Sequence, residues 1–232
     1  MQNTKTNKEK DSQKIPFNEA LVDFIQRRRK LIFASIAVII FAFIGTVVFL
    51  IVNDNLRQNA ILQVEDLNSR FDELIFFVDD EDRYEEIESL LADLVSFAEN
   101  GRGFAQSKAW SLAAGIYAAR LDWALTEEAW LNAARAGQRT YLGPISLFNA
   151  ATAAEEQGKF EEAISLLQQA INHRFEFPAA PRAQFSIGRL NEQLGNYSAA
   201  LEAYRAVMIS WPEITIWQQL AHNRIIALEI YN

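Results

Sequence analysis

The feature that most constrains this chain is an uncharged run of 22 residues from Leu31 to Val52, LIFASIAVIIFAFIGTVVFLIV. As a helix it would be about 33 Å long, enough to cross a bilayer core of about 30 Å. A buried core helix of this length would ordinarily carry some charges. A cleaved signal peptide would have a shorter apolar run, followed by a small-residue cleavage site. We therefore predict that residues 31–52 are a retained transmembrane signal anchor in contact with the lipid bilayer.

The charges on either side of this run predict its orientation. The first 30 residues carry eight basic and four acidic side chains, and the 180 residues after the run carry 14 basic and 26 acidic ones. Because basic flanks stay in the cytoplasm, we expect a single-pass protein of a bacterial inner membrane. Residues 1–30 would then be a cytoplasmic basic tail, and the C-terminal domain would be periplasmic. The acidic domain also argues against nucleic-acid binding, since it would repel a phosphate backbone.

Residues 53–103 are interpreted as a helical spacer. An apolar stripe with alternating spacings of four and three residues predicts a helix over 60–78, and a second amphipathic helix follows over 84–98. The stripe consists of Ala60, Val64, Leu67, Phe71, Leu74 and Val78. We expect the two helices to pack as a hairpin. The alternative is that residues 60–78 form the coiled-coil seam of a homo-oligomer.

Residues 104–232 alternate between helix and turn without a sustained strand pattern, so the chain is predicted to be all-α. The predicted helices cover residues 105–120, 126–136, 145–157, 160–173, 182–194, 198–209 and 215–231. Two segments about 37 residues apart repeat one pattern, with Gly158 and Gly195 ending first helices and Ala163 and Ala200 inside second helices. Ala129 is assigned to the same position of the preceding hairpin.

At these positions the sequence resembles the tetratricopeptide repeat. One repeat begins at Pro144 and the next at Pro181, while the hairpin before them retains less of the pattern. The resemblance implies that an α-solenoid of tetratricopeptide-like hairpins, closed by a C-terminal capping helix, follows the predicted transmembrane helix.

The layout of the whole chain is similar to the bacterial family of the ancillary Sec-translocon subunit. That resemblance implies a non-enzymatic scaffold or adaptor that binds proteins at an inner-membrane complex, associated with the translocon or with periplasmic chaperones. The alternatives are a subunit of another envelope machine, for cell division or a periplasmic flagellar structure, or a regulator of an enzyme.

Candidate chemistry is sparse in this sequence. There is no cysteine, there are two histidines, and no nucleophile or phosphate-loop motif occurs. We therefore predict no catalytic residue, no metal site and no cofactor. The glutamate pairs at 127–128, 155–156 and 161–162 are expected to be solvated, and His173 is expected to suit a helix C-terminus as a cation.

A partner-binding site, if the chain has one, is expected on the concave face lined by first helices. The repeat pattern places nine residues there: Ile145, Phe148, Asn149, Thr152, Glu155, Arg182, Phe185, Arg189 and Glu192. Such a mixed apolar and basic groove suits an extended or helical peptide of acidic character. The alternative is that these residues only solvate the groove. Asn149 and Arg182 match only part of a carboxylate clamp, so capture of a C-terminal carboxylate is not expected.

The five tryptophans all lie in the repeat region. Aromatic residues at helical spacing usually belong to the core, whereas an exposed one can anchor a partner. We expect Trp130 to be buried, and Trp217 is the first candidate for exposure.

Overall fold

The computed structural model describes residues 17–78 and 80–231, and that part of the chain is helical with no strand. This confirms the all-α prediction. The α-helices are α1 Phe17–Leu74, α2 Tyr84–Asn100, α3 Gly103–Ala119, α4 Trp123–Ala136, α5 Leu142–Glu156, α6 Phe160–Ile171, α7 Ala180–Gln193, α8 Tyr197–Ser210 and α9 Thr215–Tyr231. Two short 3₁₀ turns, Ile75–Phe77 and Glu81–Arg83, connect α1 to α2.

Helix α1 contains the apolar run. The chain divides into two compact units, Met1–Leu56 and Arg57–Asn232. Within the described residues, Gln26–Phe77 is the one helical segment long and apolar enough to cross a membrane by length and composition. Its most apolar window has a mean hydropathy of 3.0, and none of that window is buried. The core helix of a soluble protein would be mostly buried. Of the predicted basic tail, residues 1–16 lie outside the described part.

The apolar stripe of residues 60–78 packs inside its own unit. Val64 is fully buried in one cluster with Leu94 of α2 and Ile116 of α3. Arg70 of α1 also pairs with Asp93 of α2 at 2.6 Å. The hairpin is therefore the arrangement observed, and a homo-oligomer seam at 60–78 would have to displace this packing.

Three hairpins, α3–α4, α5–α6 and α7–α8, follow one strict register of 37 residues. The residue that turns the chain between the two helices has positive φ in each: 60° at Leu121, 74° at Gly158 and 74° at Gly195. These values lie in the left-handed region, which glycine adopts without steric cost. The hairpin that looked least repeat-like in sequence therefore has the same geometry, with leucine at the turn.

This register corrects the assignment of Ala129. Counting 37 residues back from Ala163 and Ala200 leads to Thr126, and all three side chains are at most 2% exposed. The Thr126 amide donates to the carbonyl of Asp122 at 2.9 Å, as Ala163 and Ala200 do to their own cap residues at 3.0 Å. The Thr126 hydroxyl donates to the same Asp122 carbonyl at 2.7 Å. A threonine fits here because its hydroxyl is satisfied locally, so the assignment of Ala129 to this position was wrong.

The size of one buried side chain is compensated across the hairpin. In the α7–α8 pair, the ring of the fully buried Tyr204 fills the space beside Gly188, where an added Cβ would lie 2.5 Å from Cε1 of the ring. The equivalent residues of the α5–α6 pair are Ala151 and Leu167, both buried. A larger residue on one helix is matched by a smaller one on the other, which keeps the helices at a similar separation.

Two polar residues differ from their sequence-based interpretation. Glu127 is not solvated: it is 5% exposed and accepts hydrogen bonds from Lys159 Nζ at 2.8 Å and Gln157 Nε2 at 2.7 Å. Burial and the nearby charge of Arg174 lower the pKa of His173, which disfavours the cation expected at this helix end. Its Nδ1 also accepts the Phe175 amide at 3.2 Å, as a neutral imidazole can.

Candidate protein-binding surface

Helices α5 and α7 are the first helices of consecutive hairpins, and they carry all nine predicted site residues. We call these nine residues the first-helix surface. Thr152 and Arg182 are exposed, and the other seven are partly buried. Ile145 packs against the buried cluster beneath the two helices, so it supports this surface from below.

Phe148 and Arg182 join the two helices. The guanidinium of Arg182 lies 5.1 Å from the centre of the Phe148 ring, within the range of a cation–π contact. Behind it, the buried Phe177 packs on Phe148 with ring centres 5.7 Å apart. The aromatic ring is therefore held between a core residue and an exposed cation.

Arg189 is not a free cation. Its guanidinium donates two parallel hydrogen bonds to Glu155, at 2.5 and 2.6 Å, which raises the pKa of Arg189. Bidentate arginine–carboxylate pairs are the stronger kind of ion pair. The pair corrects two predictions: the groove is less basic than expected, and Glu155 is not a solvated edge.

Glu192 anchors the C-terminal end of the surface. It accepts hydrogen bonds from the Tyr204 hydroxyl and from the Arg224 guanidinium, whose Nε lies 3.0 Å from Oε1. Burial alone would raise the pKa of Glu192, but these two donors lower it overall. Burial and the Glu192 carboxylate together raise the pKa of Tyr204 well above its usual range. This end of the surface is therefore a closed network.

An aromatic cluster that sequence reasoning missed lies beside this network. Phe185 contacts Tyr204 and Trp217, with ring centres 5.1 and 5.6 Å away. Trp217 is accordingly half-buried rather than exposed, and Trp130, expected in the core, is half-buried too. The one sequence feature that could have located Tyr204 in this cluster is its repeat position, 37 residues after Leu167. Nothing in the sequence placed α9, with Trp217 and Arg224, against α7.

Few groups on the first-helix surface remain available for a partner. The hydroxyl of Thr152 donates to the Phe148 carbonyl at 3.2 Å and stays exposed. Arg182 has no carboxylate partner within the described residues, and Asn149 lies half-buried next to Phe148. In the same part of the chain, no group of three or more His, Cys, Asp or Glu is placed to hold a metal ion. The surface offers a ring, a cation and short polar groups, which are means of binding a peptide.

Comparison with known proteins agrees with this geometry. Residues 148–213 match the tetratricopeptide repeat family. A TPR repeat-containing protein of Treponema pallidum (strain Nichols) is 37% identical over 145 residues, which are 62% of this chain and 60% of that protein. The match thus spans about three fifths of the relative's length.

A solved structure shares the fold. A crystal structure of kinesin light chain TPR-like repeats from Podosopora anserina aligns with a TM-score of 0.53 at 14% identity, covering 71% of this chain and 85% of that one. Helices α3 to α8 thus form consecutive TPR-like hairpins. The chain therefore carries tetratricopeptide repeats, a fold that typically serves as a non-catalytic scaffold for protein–protein interaction.

Proposed function

We propose that this protein is a membrane-anchored adaptor that presents its repeats outside the cytoplasm of a bacterium. Residues 31–52 span the inner membrane, with the N-terminus in the cytoplasm and the repeat domain in the periplasm. The unburied apolar window of α1 and the excess of basic residues before it support this arrangement. The repeats then bind protein subunits of an inner-membrane complex.

The observation that carries the binding proposal is the contact between Phe148 and Arg182. It joins two first helices, and Arg182 is exposed and without a carboxylate partner in the described part of the chain. The neighbouring cation, Arg189, is neutralised by Glu155. A partner peptide with one carboxylate and one apolar side chain could pair the carboxylate with Arg182 and pack the apolar side chain on Phe148. The first-helix surface therefore selects an acidic extended or helical segment.

The assembly we propose is the protein-export translocon or the chaperones that work beside it on the periplasmic side. The layout of one N-terminal span, a helical spacer and divergent repeats supports this assignment. A cell-division or periplasmic flagellar assembly is the competing outcome, and the identity of a trapped partner decides between them.

Photo-crosslinking in living cells tests the binding proposal. A photoreactive residue at the exposed Thr152 is expected to trap a defined membrane-complex protein, and the additional Arg182→Glu substitution should abolish the adduct. A photoreactive residue at Glu202, exposed on second helix α8, is the matched control. Equal adducts from both positions, or none from Thr152, would contradict the proposal.

The absence of cysteine allows a direct test of orientation. In separate variants, Thr4→Cys and Glu202→Cys each introduce a single thiol. A membrane-impermeant maleimide added to spheroplasts should label the Glu202→Cys variant at once and the Thr4→Cys variant only after permeabilisation. The reverse order would show that the repeats face the cytoplasm.

A further inference from the structure

A basic cavity of about 680 Å³ is lined by residues of helices α4, α5 and α6 and of the loops that follow α4 and α6. Leu131 and Leu166 are in its apolar part, and Arg135, His173 and Arg174 are in its polar part, which we call the rim. We call it the α4–α6 cavity. It shares no residue with the first-helix surface.

The charge at the rim is unusual for this chain. The protein has a net charge of −8, and seven of its basic residues beyond the membrane run pair with carboxylates. Arg135 and Arg174 have no carboxylate partner among the described residues, and the Arg174 guanidinium lies 4.9 Å from the centre of the Phe175 ring. The residues that line the cavity include no acidic side chain, and Glu176, two residues beyond Arg174, is not one of them. These two cations therefore give the lining of the cavity a positive charge.

The repeat register indicates what shape the cavity accepts. Counting 37 residues on from Arg174 leads to Trp211, and the indole of Trp211 is half-buried against the cluster that α6 and α7 share. At the next repeat junction the chain thus places its own aromatic side chain at the position where the α4–α6 cavity has an arginine. A flat aromatic side chain can therefore fit between consecutive hairpins of this solenoid.

We propose that the α4–α6 cavity is a second protein-binding site, which takes an aromatic side chain flanked by carboxylates from an acidic partner segment. The aromatic ring lies on Leu131 and Leu166, and the flanking carboxylates accept hydrogen bonds from Arg135 and Arg174. The volume of the cavity is in the range of clefts that bind a small ligand. Because the first-helix surface binds its own acidic segment, the protein can hold two such segments at once. It would then act as an adaptor that brings two subunits together.

Histidine NMR on the full chain in nanodiscs tests this proposal. The protein has only His173, at the rim, and His222, on α9, so each ring gives one signal that a His222→Gln variant assigns. The probe is the peptide Ac-Glu-Trp-Glu-NH₂, with Ac-Gln-Trp-Gln-NH₂ and Ac-Glu-Ala-Glu-NH₂ as controls for charge and ring. The His173 signal should shift with the probe and the His222 signal should not. Each control peptide should bind at least about fivefold more weakly.

Two sets of variants complete the test. The exposed Arg135→Gln and Arg174→Gln substitutions should each weaken probe binding about threefold, as expected for exposed ion pairs, and should leave the fold unchanged. Arg182→Glu on the first-helix surface should leave the His173 response unaltered, so that loss of one site is distinguished from loss of the other. Equal binding of the acidic and amide peptides, no effect of the arginine variants, or no shift at His173 would each overturn the proposal.

Discussion

Gly188 and Tyr204 compensate for each other in size, and this leads to a prediction about stability. The effect of one substitution at Gly188 on the free energy of unfolding should change sign with the residue at position 204. In the natural background, Gly188→Ala should destabilise the repeat domain. In a Tyr204→Leu background, the same Gly188→Ala should stabilise it. The second background reproduces the pair that the preceding hairpin already uses, Ala151 with Leu167.

The magnitudes follow from the local geometry. An added Cβ at Gly188 would lie 2.5 to 2.8 Å from three atoms of the Tyr204 ring, which is itself fully buried and hydrogen-bonded to Glu192. Overpacking of this kind costs about 1–3 kcal/mol, while replacing a helical glycine by alanine gains about 1 kcal/mol. The net loss is therefore about 1 kcal/mol. With leucine at 204 the clash is removed, the helical gain remains, and the new methyl fills part of the space left by the ring. The net effect becomes a gain of about 1 kcal/mol.

Thermal and urea unfolding of residues 57–232, followed by helical circular dichroism, measures this double-mutant cycle. For a domain of this size, 1 kcal/mol corresponds to a shift in Tm of about 2–4 °C. The natural sequence, both single variants and the double variant should give a coupling energy of about 2 kcal/mol. If Gly188→Ala changes stability by the same amount in both backgrounds, the two positions are not packed as described and the register argument fails.

Three further outcomes are expected. Ser146→Ala should raise the unfolding free energy by about 1 kcal/mol, because the buried Ser146 hydroxyl has no hydrogen-bond partner among the described residues and its equivalent in α7 is Ala183; urea unfolding measures this. Acidification should destabilise the protein as the pH falls below about 4.5, because the pKa of Glu192 is lowered in the folded state and the unfolded chain therefore protonates this carboxylate first. Glu192→Gln should reduce this dependence of stability on pH, as measured by unfolding from pH 3 to 7. In an NMR titration, the His173 ring should protonate with a midpoint below 6.5. Because the folded protein binds this proton less readily than the unfolded chain does, the free energy of unfolding should rise as the pH increases towards 6.5.

Much of the fold could be predicted from periodicity. The left-handed turns at Gly158 and Gly195 and the buried Ala163 and Ala200 follow from residue type alone, since few residues tolerate either position. The same logic failed at Thr126, because a hydroxyl that bonds its own helix is sterically and electrostatically tolerated there. Residue type alone does not reveal that local hydrogen bond.

The candidate site was less predictable. Helical spacing correctly placed Phe148 and Arg182 on first helices, and the structure brings them within 5.1 Å of each other. It could not foresee that Arg189 is bound by Glu155, 34 residues earlier, because that pairing depends on how consecutive hairpins are rotated against each other. A charge that is already paired attracts a partner's carboxylate only weakly, so this one contact changes the chemistry of the surface.

The sequence by itself determined the elements: an uncharged run long enough to span a bilayer, helices elsewhere, and turns at a repeat of 37 residues. These follow from short-range causes, since hydropathy, helix periodicity and backbone sterics act within one element. Only the tertiary structure decided which charges pair inside the protein, that the stripe at 60–78 is buried within its own chain, and that residues of α4, α5 and α6 line a basic cavity. Those properties depend on contacts between side chains from different helices, many of them more than 30 residues apart, and helical spacing within a single element carries no information about such contacts.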